Sequence, residues 1–188
     1  MLQLIRDYGK YVEITGFKNV KFLDAEGFLK AQRKKGGSDL DVQFFDAELI
    51  ATYRHLYFAV LNALQSFHNK TNISKTLAVE TMIYASAQRQ IRKAIDRCGI
   101  KPSTTRMAAI IIGRNPNETQ ILLREIALCV GSERNETVLE LSDDKRRKIK
   151  QVFEVKTEEI EAVMKDENED DAIVNLVVER VALLATRL

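Results

Sequence analysis

Arg106-Met107-Ala108-Ala109-Ile110-Ile111-Ile112-Gly113 is the stretch that decides the fold. Met107 to Ile112 is an unbroken aliphatic run of six, the right length for a strand and far below the roughly 20 residues that cross a bilayer. Upstream, Lys10 to Val20 has the alternating, β-branched character of another strand, interrupted at Gly16. Val42-Gln43-Phe44-Phe45 reads as a third, short one. Between these two, Asp24 can cap a helix running to about Arg33, and Lys34-Lys35-Gly36-Gly37-Ser38 reads as a loop. The expected fold class is therefore α/β (α+β). Residues 1–188 form a single domain with a small, mainly antiparallel sheet from strands near 11–20, 41–45 and 106–112, surrounded by helices.

The helices follow from periodicity. Asp46 is a good N-cap, and Leu49, Tyr53, Leu56, Val60, Ala63 and Phe67 recur at helical spacing, which predicts a central helix over 47–67, the most buried element of the fold. A second helical stretch begins at Asn72 or Ser74 and runs through Leu77, Val79, Met82, Ile83 and Tyr84. Ser86 reads as a fresh cap for a helix from Ala87, with Ile91, Ala94, Ile95 and Cys98 as its apolar face and Arg89, Arg92, Lys93 and Asp96 opposite. Gly99 stands where a left-handed cap belongs, and Pro102 blocks continuation. Asn115-Pro116-Asn117-Glu118 opens a helix expected to end at Gly131. Thr137 to Leu141 reads as a short strand, while Ser142 and Thr157 cap two further helices. The acids from Asp166 to Asp171 open a last amphipathic one, where they complement its dipole.

Net charge over the 188 residues is only +2, but it is unevenly spread. Residues 1–113 carry 17 lysines and arginines against 10 acids, whereas residues 114–188 carry 12 against 17. Within 68–106 the balance is 8 to 2, which reads either as a cationic surface suited to a polyanion or as solvated helix faces. The N-terminus lacks the pattern of a signal peptide, and Cys98 and Cys129, with no CxxC, read as two reduced thiols in a core, so the cytoplasm is the expected location and no membrane partner is expected. His55 and His68 have no ligand-spaced companions, so no metal site is expected. No phosphate-binding loop, dinucleotide fingerprint or nucleophile elbow occurs, and no nucleophile–base–orienter set can be assembled. Neither catalytic residues nor a cofactor are therefore expected. Glu80, amid Leu77, Val79, Met82 and Ile83, reads either as a buried carboxylate or, by preference, as one that faces solvent or pairs with a base such as Lys75.

Three stretches carry a resemblance. His55-Leu56-x-x-Ala59-Val60-Leu61-Asn62-Ala63, Asn72-Ile73-Ser74-Lys75-Thr76-Leu77-Ala78-Val79-Glu80 and Tyr84-Ala85-Ser86-Ala87-Gln88-Arg89-Gln90-Ile91-x-x-Ala94 are similar to the kinase-binding regulatory subunits of the KEOPS complex, the PRPK-binding protein family with its archaeal and yeast equivalents. The block from Asn72 to Ala94 is the specific part. The resemblance implies a non-catalytic subunit that binds the complex's small kinase/ATPase directly, meets the other KEOPS subunits indirectly, and grips tRNA through its CCA end. On that reading Lys75, Arg89, Arg92 and Lys93 contact phosphates, Gln88 and Gln90 reach base edges, and Tyr84 stacks a splayed base or, by preference, belongs to the core. The terminal helix has a broad apolar arc and a second stripe at Leu176 and Leu183, which either packs on the 143–165 helices or awaits a partner. The resemblance makes Val174, Leu176, Val178 and Leu183 the kinase anchors, with Arg180 at the rim. A protein-only scaffold for the kinase is the alternative. An unrecognised enzyme would have only Glu80, His55 and Tyr84 to work with.

Overall fold

The computed structural model describes residues 2–21, 27, 31, 40–166 and 168–186. Four strands form one antiparallel sheet: β1 (Leu2–Ile5), β2 (Lys10–Lys18), β3 (Asp41–Asp46) and β4 (Arg106–Gly113), in the order β1-β2-β4-β3. The run that opened the sequence reading is β4. It lies between β2 and β3, with Gly16 opposite Ala108 and Phe44 opposite Ala109. Ala108, Ile110 and Ile112 enter one apolar cluster and Met107, Ala109 and Ile111 the other. Burial on both faces is why this strand shows no polar alternation.

Seven α-helices cover the sheet among the described residues: α1 (Tyr53–Asn69), α2 (Leu77–Ala85), α3 (Ile91–Cys98), α4 (Pro116–Val130), α5 (Asp143–Val152), α6 (Thr157–Val163) and α7 (Glu169–Leu183). Helix α4 covers one face through Leu122, Leu123, Ile126 and Val130. The cluster on the other face holds apolar residues of all the other helices, with α1 packed against α2 and α7.

Several expectations change in detail. The helix expected from Asp24 to Arg33 and the loop after it lie outside the described residues, apart from Gly27 and Ala31. β1 was not anticipated; a short helical turn over Arg6–Tyr8 and Gly9, at φ 59°, reverse the chain into β2. Asp46 caps a one-turn 3-10 segment (Ala47–Leu49) through the Glu48 amide, so the long helix starts at Tyr53 rather than at 47. The most buried element is β4, not that helix. Gly99 is extended (φ −72°) instead of left-handed, and its role is close approach: a Cβ there would sit 2.6 Å from the Ile95 carbonyl oxygen. Lys156, not Thr157, is the N-cap of α6. Residues Glu136–Leu139 form a 3-10 turn in place of the expected strand.

That turn completes the sheet. β1 pairs only with Lys10 to Glu13, so the same edge of β2 beyond Glu13 is open. Arg134 bridges to Phe17 there, and the Asn135 amide donates to the Gly16 carbonyl at 2.7 Å. The Arg134 guanidinium donates to the buried Glu13 carboxylate at 2.7 Å and to Thr15 Oγ1 at 3.0 Å. Lys145, itself buried, donates from Nζ to the Val138 carbonyl at 2.8 Å, and burial pushes its pKa down to about 8. A Cβ on Gly16 would fall 2.1 Å from a Val138 methyl and 2.6 Å from the Asn135 carbonyl oxygen. The interruption noticed at Gly16 is thus the seat of the 134–138 segment. Gly16→Ala is expected to cost about 1–3 kcal/mol of stability by forcing that segment outward. Urea unfolding measures it, and an unchanged midpoint would show that the segment yields freely.

Candidate functional site

The cationic stretch 68–106 comprises the connection before α2, α2 itself, the connection before α3, α3 and the turn into β4. Helix α2 stops at Ala85: the Ser86 hydroxyl turns back to the Ile83 carbonyl, and Ala87 takes a left-handed φ of 51°. Helix α3 therefore begins at Ile91 with Gln90 as N-cap, four residues later than the sequence implied. Arg89 and Gln90 lie in the connection, not on the helix. Arg89, Gln90, Arg92, Lys93 and Lys75 are all exposed. Only Ala94 and Cys98 of α3 are buried. Ile91 and Ile95, expected in the core, are 40% and 47% exposed. At 100° per residue they stand between the buried line and Arg92, an apolar strip edged with positive charge. The amphipathic spacing was legible in the sequence, but which part of the apolar arc met the core was not.

The loop before α2 is tied from inside. Glu80, expected at the surface, is 1% exposed. Its carboxylate accepts from the Ile73 amide (3.1 and 3.2 Å), the Ser74 amide (2.7 Å), Ser74 Oγ (2.7 Å) and Ser66 Oγ (3.4 Å). Tyr84 is buried, with its hydroxyl 3.1 Å from Ser66 Oγ, so of its two sequence readings the structure takes the core one. Lys75 and Ile73 face outward from this loop.

The terminal helix corrects the other set. Val174 and Leu176, expected as docking anchors, are buried at 3% and 4% in the chain's own core. The stripe of Leu176 and Leu183 is divided, because only Leu183, at 40%, remains exposed. Val178 is half-buried against the same cluster. Arg180 is held by both carboxylate oxygens of Glu159 (2.9 and 3.0 Å) and by the Glu154 carbonyl (3.1 Å). A cavity of about 350 Å³ brings Arg180 and Leu183 together with Gln88. A second, of about 630 Å³, is lined by Gln88, Lys93 and Lys101, and Gln88, Arg97 and Glu154 border both. The two residue sets drawn from separate stretches of sequence thus adjoin at Gln88.

His55 is wholly buried: its Nδ1 accepts from the Ala51 amide (3.1 Å), so Nε2 carries the proton donated to the Ala85 carbonyl (2.7 Å). Both ring nitrogens serve the backbone. Cys98 is buried and its thiol pushed up to about 12, whereas Cys129 is exposed, so only one of the two expected core thiols lies in the core. Among the described residues no group of three or more His, Cys, Asp or Glu side chains could hold a metal ion, and no helix is long and apolar enough to cross a membrane.

Fold and surface together define an α+β protein with a four-stranded antiparallel sheet, a helical C-terminal part and a basic, partly apolar outer helix. Residues 17–185 match the family described as kinase binding protein CGI-121, and the chain belongs to that family. Among its relatives, the regulatory protein Cgi121 of Methanocaldococcus jannaschii is 31% identical over 117 residues, 62% of this chain and 72% of that protein. The EKC/KEOPS complex subunit cgi121 of Aspergillus terreus is 27% identical over 92 residues, 49% of this chain and 47% of that protein. The EKC/KEOPS complex subunit CGI121 of Coccidioides immitis is 26% identical over 97 residues, 52% of this chain and 47% of that protein. The chain thus spans about half the length of the two fungal relatives.

The buried imidazole gives the fold a pH signature. Burial lowers the His55 pKa from 6.5 to about 4, with the Ala85 hydrogen bond opposing. Between those values the unfolded chain binds more protons than the folded one, so His55 makes stability fall as pH drops below 6.5. The loss reaches about 3 kcal/mol by pH 4. Urea midpoints at pH 7 and pH 5 should show the decline, and the imidazole resonances should titrate well below pH 6.5. Titration of His55 near 6.5 would contradict the buried neutral state.

Proposed function

We propose that the chain is a non-catalytic, cytoplasmic subunit of a KEOPS complex. Residues 1–188 act as one binding domain that engages the complex's small kinase/ATPase directly, meets the other subunits through it, and recruits tRNA by its CCA end. Membership in a kinase-binding family supports the kinase half, and the names of the fungal relatives support the KEOPS assignment.

The observation that carries the tRNA half is the exposed pair Ile91 and Ile95 on a helix that also carries Arg92, Lys93 and Arg97. Apolar side chains left in water beside Arg92, with Lys93, Arg89 and Lys75 exposed nearby in sequence, suit a single-stranded end: cations take the phosphates while aliphatic faces cover unstacked bases. Gln88 and Gln90 supply amides for base edges. Tyr84 has no part in stacking, since it lies in the core with its hydroxyl on Ser66. For the kinase, Leu183 is the exposed anchor, with Val178 at its edge and Arg180 at the rim. Val174 and Leu176 support that helix from within.

Arg89→Glu with Arg92→Glu is expected to weaken binding of a tRNA transcript by at least about tenfold and to flatten its salt dependence, with the thermal melt unchanged. An unaltered affinity and salt slope would leave the protein-only scaffold. Leu183→Arg is expected to abolish co-purification with the small kinase, at a cost of about 2–5 kcal/mol of binding, again without moving the melt. Retained co-purification would take the terminal helix out of the kinase interface.

A further inference from the structure

Two glutamates are almost wholly buried, and they are answered differently. Glu13 meets a guanidinium, whereas Glu80 makes no ion pair among the described residues and is held by amide and hydroxyl donors alone. Removing a carboxylate from water with no countercharge is costly, and a short helix otherwise packed through Leu77, Met82 and Ile83 has no need of one for burial. What the carboxylate does is local. It gathers the amides of Ile73 and Ser74, fastens them through Ser66 to the last turns of α1, and so sets the path of the chain from 70 to 75. The rest of that loop is turned inward as well: the Thr71 amide donates to the Ser66 carbonyl at 2.9 Å, and the Asn72 side chain donates to the Ser74 carbonyl at 2.9 Å. With its polar groups engaged beneath, the loop presents Ile73, 44% exposed, and Lys75 outward.

We propose that Glu80 is a positioning residue of the tRNA surface, fixing the 70–75 loop so that Lys75 meets a phosphate without first having to be ordered. This rests on the tRNA reading above. A lysine on a pre-set backbone loses less conformational entropy on binding than one on a free loop, so the carboxylate acts on affinity through Lys75 and not by touching RNA. Like charge would make direct contact unfavourable in any case, and the side chain is buried.

The test is a double-mutant cycle on the full chain with a tRNA transcript. Glu80→Gln keeps volume but turns an amide donor toward backbone donors. It is expected to speed hydrogen exchange at the Ile73 and Ser74 amides at least tenfold, to weaken tRNA binding about tenfold, and to lower the salt slope by about the 0.7–0.9 that one phosphate contact contributes. Lys75→Ala should give the same slope change, and the double variant should add nothing to either single one. Co-purification with the kinase should persist in all three. Additive losses, or an unchanged affinity with freed amides, would overturn the positioning role. If Glu80→Gln does not fold, Ser74→Ala removes one of the four donors and is read in the same way. Failure of the parent reading looks different: the unmodified chain would then bind no tRNA, which removes the role for Glu80 along with it.

Discussion

Water can reach neither face of the strand Met107–Ile112 without a large loss, and the rest of the molecule follows from that constraint. Six consecutive apolar side chains point alternately to two sides, so both sides of the sheet must be covered. Helix α4 supplies one cover and the other six helices the second. The strand must also have a neighbour on each edge, which places β2 and β3 beside it. An antiparallel sheet commonly leaves one face in water; this one cannot.

How much was legible in the sequence depended on whether the signal was local. Continuous apolar runs, helical periodicity and capping residues are local, so β2, β3, β4 and the order of the helices could be read directly. Asn115 with Pro116, and Ser142, cap the helices they were expected to cap. Failures came where two local signals competed, or where a partner far away in sequence decided. Asp46 is a sound cap, but it caps a single turn. Thr137 to Leu141 read as a strand, yet residues 136–139 curl, because the Val138 carbonyl must reach Lys145 and the segment must lie along β2.

The site was less legible for the same reason. The cationic stretch was visible by composition, because charged residues face water wherever the helix lands. The apolar residues around it were not, since periodicity gives the direction of a stripe but not its depth. Ile91 and Ile95 share an arc with Ala94 and Cys98, and only the small pair fits beneath the helix. Leu176 and Leu183, seven residues apart, part company because the last turn of α7 buries only the side of Val181 and Leu184. Glu80 was read as a surface acid because nothing in the sequence announces that two amides and two hydroxyls wait for it.

The clamp of Arg134 on Glu13 joins residues 121 positions apart, which gives this fold a chronology as well as a shape. During synthesis β2 leaves the ribosome early, and its partners β4 and Arg134 follow only about a hundred residues later. At roughly 5–20 residues per second that is a wait of about 5–20 s. Throughout it β2 has only β1 to pair with, along Lys10 to Glu13, and its other edge is open to whatever it meets. High contact order of this kind slows folding, and it makes the first stretch of the chain the natural client of a chaperone until the last third has been made.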